Sequence, residues 1–257
     1  MTRDYKRTSA GFTRMELAVV ILVVATLGTL VFFVLRDTRR LAWGMNCMNN
    51  QKSLGVSYRL WAQDHFDLMP FQESTNFGGW SELLTKTNAG QYCWTNFAIM
   101  RDFLGDSPKF TVCPADKRKP AANFIVKGTT NDTGNAALKD NTTVSYFVGV
   151  TSSDLYPQSI LGGDRNLDPG LIPDANYGFS PSDGRGNDVT LYTNSPVCWS
   201  LKMHSHGNLA GFGNILLGDG SGQELTSLSF RSDWIVNAST GTNFTGTNQP
   251  GFRLIFP

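Results

Sequence analysis

Histidine is scarce in this chain, three in 257 residues, and two of the three stand together as His204-Ser205-His206. In an extended segment residues two apart share a face, so the two imidazoles would lie side by side. With Asp219 brought alongside, they would make two-thirds of a metal ligand set or the His–Asp part of a hydrolase. His65 is remote in sequence, and the chain has no G-x-S-x-G elbow to supply a nucleophile. The plainer expectation is that these side chains hold a loop to the following hairpin by hydrogen bonds.

A second constellation is Asp164-x-Asn166-x-Asp168, whose alternating oxygens suit a structural Ca²⁺. The full calcium loop needs Gly directly after Asp168 and a glutamate beyond it. Here Pro169 follows, and Ala175 stands at the glutamate position with Asp174 just before it. An Asx-rich turn is the alternative. The thiols are Cys47, Cys93, Cys113 and Cys198; they allow three pairings, among which spacing does not choose. No C-x-x-C is present, which argues against a zinc ribbon or a redox centre.

The elements that must position these residues begin with an unusual amino terminus. From Leu17 to Leu35 the chain runs nineteen residues without a charge. As a helix this spans roughly 28 Å, close to the hydrocarbon thickness of a bilayer. A basic leader (Arg3, Lys6, Arg7), a Gly11–Phe12 junction and the lone acid Glu16 precede it. An acid at the edge of a bilayer is costly without a partner. Cleavage after Gly11 would give Phe12 an α-amino group whose charge offsets Glu16 of the same chain or a neighbour. No small-residue cleavage site follows Leu35, so a removable secretory signal does not fit. Basic residues flank both ends (Arg36, Arg39 and Arg40 on the far side), leaving no charge bias for orientation.

Beyond the apolar run, Leu41, Met45, Met48, Leu54, Tyr58 and Trp61 fall mostly three and four apart, one stripe of an amphipathic helix. No proline occurs between Phe12 and Pro70, so a single helix is expected over 12–64, with 17–35 transmembrane and residues 1–11 as leader. The remainder, 65–257, is long enough for one domain with its own core. Strands are expected at Val144–Val150, Gly213–Leu217, Gly222–Thr226 and Phe252–Phe256, with Gly218-Asp219-Gly220-Ser221 as a hairpin turn. Short helices are expected at Trp80–Lys86, Thr95–Leu104 and Ser227–Val236, and long loops at Thr151–Asn187 and Asn237–Gly251. A long helix first and antiparallel strands later make an α+β fold.

Gly11-Phe12-Thr13-x-x-Glu16 followed by the apolar stretch resembles the type IV prepilin and pseudopilin superfamily. The match narrows at Cys47-x-Asn49-Asn50-x-x-x-x-Gly55, Cys113-Pro114-Ala115-Asp116, Ser145-Tyr146-Phe147 and Gly163-Asp164-Arg165-Asn166. These look like pilin-like proteins of the planctomycete and verrucomicrobial type, which carry a histidine, a strand and then Asp-Gly near the end. His206, Asp219 and Gly220 would fill that pattern, with twelve intervening residues in place of the usual nine. An insertion around Gly207–Gly213 would account for the difference.

The resemblance implies a pilin-like fold, processing after Gly11 by a prepilin peptidase and N-methyltransferase, and Glu16 setting subunit register. It also implies assembly with other pilin-like subunits in a type II secretion or type IV pilus-like filament. The protein would sit in a bacterial inner membrane, single-pass, amino terminus cytoplasmic and head periplasmic or extracellular. A Cys47–Cys113 disulfide follows only from both cysteines lying in resembling segments. No catalysis and no cofactor beyond the calcium candidate are expected.

Composition fits an ordered head: aromatics make up 12% and charged residues 17%. Net charge is +1; residues 1–11 carry three basic groups and one acidic group, so the rest carries −1. That, with no basic run beyond the membrane flanks and Lys117-Arg118-Lys119, argues against nucleic acid. The alternative is a membrane-anchored periplasmic module that binds polysaccharide through exposed Trp80, Trp94 and Trp199.

Overall fold

A computed structural model describes residues 11–124, 137–205, 211–240 and 251–257. The chain divides into two compact units, Met1–Ala42 and Trp43–Pro257. Helix α1, Arg14–Asp64, is 51 residues long and runs from the first unit into the second. Its start is a reciprocal capping box. The Thr13 hydroxyl accepts from Glu16 N (3.2 Å) while the Glu16 carboxylate accepts from Thr13 N (2.8 Å). At the other end Phe66 and Asp67 adopt left-handed backbone, and Pro70 lies beyond.

Within the first unit, the stretch Arg14–Phe32 is long and apolar enough to cross a membrane, and none of it is buried. A helix apolar on every side with no protein covering it is suited to lipid or to other apolar helices.

In the second unit α1 presents Cys47, Gln51, Leu54, Tyr58 and Trp61 as one buried ridge at spacings of three and four. Helical turns follow at Thr75–Phe77, Ser81–Thr85 and Ala89–Tyr92. Then come α2 (Cys93–Ile99) and two more turns, Arg101–Leu104 and Pro108–Thr111. The strands are β1 (Asn123–Phe124), β2 (Ala137–Leu138), β3 (Tyr146–Gly149), β4 (Ile160–Asp164), β5 (Leu167–Pro169), β6 (Asn187–Tyr192), β7 (Val197–Trp199), β8 (Phe212–Leu217), β9 (Gly222–Thr226) and β10 (Gly251–Phe256). Between β9 and β10 a helical run passes through Ser227–Ser229, a π turn at Phe230–Trp234, and Ile235–Thr240.

Six strands form one antiparallel sheet in the order β6-β10-β3-β4-β8-β9. Both faces are buried, and the period-two alternation sorts the side chains between them. Tyr146, Val148, Leu161, Leu216 and Ile255 join the α1 ridge in one core. Phe147, Ile215, Leu217, Leu254 and Phe256 join Trp199, Phe230 and Ile235 in the other. Each fully buried large side chain contributes about 1.5–3 kcal/mol, so the two faces anchor the head jointly.

The arrangement is a helix packed with an antiparallel sheet, as an α+β reading requires. The four expected strands are present, as are helical turns in all three expected segments. Thr151–Asn187 is not one long loop, however: it contains β4, a central strand, and β5. In the second expected loop the helical run extends to Thr240, and 241–250 lies outside the described residues.

Candidate functional site

Four elements converge on one buried point. Cys47 projects from α1, and Cys113 follows the helical turn Pro108–Thr111. Asp164 ends β4, and His204 lies in the bend after β7. One ligand-type atom of each falls within 4.8 Å of all the others. The Cys47 thiol donates to Asp164 Oδ1 at 3.0 Å. His204 Nε2 stands 3.2 Å from Cys113 Sγ and 3.3 Å from Asp164 Oδ2.

A second layer orients these groups. One helical turn after Cys47, Gln51 Nε2 donates to Asp164 Oδ1 at 2.9 Å. The backbone N–H of Asn214 donates to Asp164 Oδ2 at 2.7 Å. Tyr146 Oη lies 3.5 Å from Cys47 Sγ, and Ala115 N donates to Cys113 Sγ at 3.4 Å. The satisfaction is incomplete: Gln51 Oε1, both side-chain polar atoms of Asn214 and Asn166 Oδ1 are buried without a hydrogen-bond partner among the described residues.

Electrostatics follow from burial and from Asp164. Burial pushes the Cys47 thiol well up, helped by Cys113 and Asp164, and burial raises Cys113 too. Burial would lower His204, but the Asp164 carboxylate beside it wins and lifts it to about 11. Burial thus favours neutral thiols at Cys47 and Cys113, and the contact with Asp164 favours a protonated His204. Buried, electrically neutral thiols are poor nucleophiles. Their available chemistry is disulfide formation or binding of a thiophilic metal. Nothing in the arrangement assembles a hydrolytic triad.

Adjacent to this cluster lies a buried ion pair. Arg165 Nε and Nη2 reach Asp116 Oδ2 and Oδ1 at 2.6 and 2.9 Å. Ser145 Oγ (2.7 Å) and Tyr177 Oη (3.0 Å) donate to the same carboxylate, and the guanidinium lies 3.5 Å over the Tyr177 ring. Asp164 and Arg165, neighbours in sequence, thus serve two networks, as do Cys113 and Asp116. Asn50 Nδ2 ties α1 to Val112 O at 3.1 Å, immediately before Cys113.

The residues singled out from sequence distribute unevenly over this geometry. His204 is at the centre, but its carboxylate partner is Asp164 and not Asp219. Asp219 is exposed on the β8–β9 turn, where its carboxylate accepts from Ser221 N at 2.8 Å, and Gly220 has φ +78°. His206 lies outside the described residues.

The oxygens of Asp164, Asn166 and Asp168 belong to separate networks in this structure. Asp164 faces the cluster. Asn166 Nδ2 donates to the carbonyls of Lys202 and Phe212, both at 3.0 Å, and its oxygen is unpartnered. Asp168 pairs with Asp174.

Cys47 and Cys113 are brought together, but all four cysteines are free thiols. Trp80 and Trp199 are core residues at 0% exposure, so the exposed aromatic platform is lost, with Trp94 only half-buried. Gly11, Phe12 and Glu16 are exposed at the start of α1.

Sequence spacing missed the grouping of Cys47, Cys113, Asp164 and His204. The available signal was that one acid from the Asp164 segment, one of the paired histidines and two resembling cysteine segments each lacked a partner. No family model, curated protein or solved structure matches this chain.

Proposed function

We propose that the protein is a non-catalytic, membrane-anchored structural subunit of a filament of the pseudopilin or minor pilin kind. The observation that carries this reading is α1. One unbroken 51-residue helix offers an uncovered apolar segment at one end and a core-forming ridge in the second unit at the other. An apolar helix of that length needs lipid before assembly and neighbouring helices afterwards. Glu16 lies at the edge of the apolar segment, where an unpaired charge is costly. A new Phe12 amine, created by cleavage after Gly11, supplies the offsetting charge from the same chain or an adjacent subunit. The head then decorates the filament and contacts cargo or partner subunits.

The polysaccharide-binding alternative loses its support with the burial of Trp80 and Trp199. Mass spectrometry of the mature amino terminus, on protein extracted from its native membrane, tests the filament reading. Processing gives a chain that begins at methylated Phe12. A chain that keeps residues 1–11 overturns the proposal.

A further inference from the structure

We propose that Cys47, Cys113, Asp164 and His204 are the four ligands of a structural zinc ion. Zn²⁺ binds thiolate at about 2.3 Å and imidazole or carboxylate at about 2.0–2.2 Å, which at tetrahedral angles separates ligand atoms by roughly 3.3–3.8 Å. Three of the six separations, 3.0, 3.2 and 3.3 Å, lie at or just below the lower end of that range, and all six are within 4.8 Å, so a modest outward shift of the closest atoms admits the ion.

The direction of His204 is the more telling feature. A single ring nitrogen faces both a sulfur and a carboxylate oxygen, which one N–H cannot serve with good geometry in both directions. A ligated nitrogen faces its co-ligands in this manner. A disulfide between Cys47 and Cys113 would use neither His204 nor Asp164 and would leave that buried pair beside an apolar bond.

The donor set selects the metal. Two thiolates, an imidazole and a carboxylate in a tetrahedral array suit Zn²⁺, whereas Ca²⁺ and Mg²⁺ demand oxygen cages. Binding displaces three protons to water, one from each thiol and one from the protonated His204 ring, and the ion with two thiolates, one neutral imidazole and one carboxylate carries a net charge of −1. The surrounding donors fit that charge: Ala115 N and Tyr146 Oη toward the thiolates, Gln51 Nε2 and Asn214 N toward the carboxylate. All four positions are filled by protein, so the site is closed and structural, not hydrolytic. An open cleft lined by Asn46, Asn50, Lys109, Cys113 and Arg118 reaches the Cys113 side and gives the ion a route in. The consequence is a cross-link joining α1, the end of β4 and two loops.

The test uses the full chain in detergent, purified under reducing conditions and equilibrated with Zn²⁺ or Co²⁺. About one Zn²⁺ per chain is expected by elemental analysis, and Co²⁺ should give the intense visible bands of a tetrahedral thiolate complex. His204→Ala, which leaves both thiols in place, should weaken zinc affinity at least about tenfold. Cys198→Ser should retain full stoichiometry. If the ligand variants fail to fold, the cobalt spectrum of the wild-type chain decides alone. Three results overturn the proposal: a Cys47–Cys113 disulfide in protein isolated from its native membrane, a wild-type chain that takes up neither metal, or unchanged zinc affinity in His204→Ala.

Discussion

Gly220, in the turn of the β8–β9 hairpin, lies directly against Gly55 of α1. A β-carbon added at Gly55 would come within 3.0 Å of Gly220 Cα and 3.1 Å of its carbonyl oxygen, with Leu216 Cδ1 also at 3.0 Å. Two glycines far apart in sequence therefore set how closely helix and hairpin approach. Gly220 is further constrained by its left-handed φ of +78°, which a side chain would strain.

The contact makes a graded prediction. Gly55→Ala gains up to about 1 kcal/mol in helix propensity but must push the hairpin back, so the two effects nearly cancel. Gly55→Val adds a branched side chain that cannot be accommodated and costs about 2–3 kcal/mol. Urea unfolding of the detergent-solubilised chain measures both. A valine variant as stable as the parent would show that the hairpin yields freely.

The buried pair Asp116–Arg165 makes a prediction about acid. Burial would raise the Asp116 pKa, but the bidentate guanidinium and the Ser145 and Tyr177 hydroxyls hold it below the ordinary carboxylate value. A depressed folded pKa means the stabilisation is complete above the unfolded value, near 4, and is lost as pH falls through the folded one. Asp116→Asn should cost about 3–5 kcal/mol at neutral pH, because Arg165 is left as an unpaired buried charge. The parent's stability should also drop more steeply than the variant's below about pH 4. Parallel acid limbs would remove Asp116 as a source of acid sensitivity.

The helical spine was legible because nothing interrupts it: the apolar run, the three-and-four periodicity beyond it and the lack of proline all agree. Strands β8 and β10 were legible as apolar runs, and the mostly polar β9 was legible because the Gly218–Ser221 turn pairs it with β8. Strand β4 was hidden by its own function in the sheet. Its Gly162-Gly163 pair has the composition of a turn, yet the Phe147 ring occupies the space of a Gly163 side chain, a β-carbon there falling 2.6 Å from the ring. The cluster was hidden because its members come from four distant segments and share no spacing rule. His204 was noticed, but with only sequence proximity to guide it Asp219 was the nearer carboxylate; the register that places Gly163 opposite Ile215 brings Asp164 in instead.

Asp168 offers the opposite pH dependence. Burial and the neighbouring Asp174 carboxylate raise it to about 6. A raised acid contributes its relative stability in full below the unfolded value near 4, and that contribution disappears as pH climbs through about 6. At neutral pH the ionised side chain therefore works against folding. Asp168→Asn should raise the stability of the chain at pH 7 and have no benefit near pH 4. Thermal melts at the two values check this, and an equal shift at both would assign the effect to packing.

The capping box at the start of α1 gives Glu16 a second possible occupation, and the two can be separated. As a cap, its carboxylate matters through the bond to Thr13 N at 2.8 Å, and the Thr13 hydroxyl supplies the reciprocal bond. As a register charge, it matters through its attraction to an amino terminus on a neighbouring subunit. Thr13→Ala removes the hydroxyl at a cost of about 1 kcal/mol and leaves the charge. Glu16→Gln removes the charge and leaves an amide able to accept the same backbone bond. On the filament reading, Glu16→Gln enters the membrane normally but fails to incorporate, while Thr13→Ala incorporates near parental levels. Cross-linking of subunits in membranes and in sheared filaments measures incorporation directly. Equal defects in the two variants would reduce Glu16 to a helix cap and leave the uncovered apolar segment without a device for setting register.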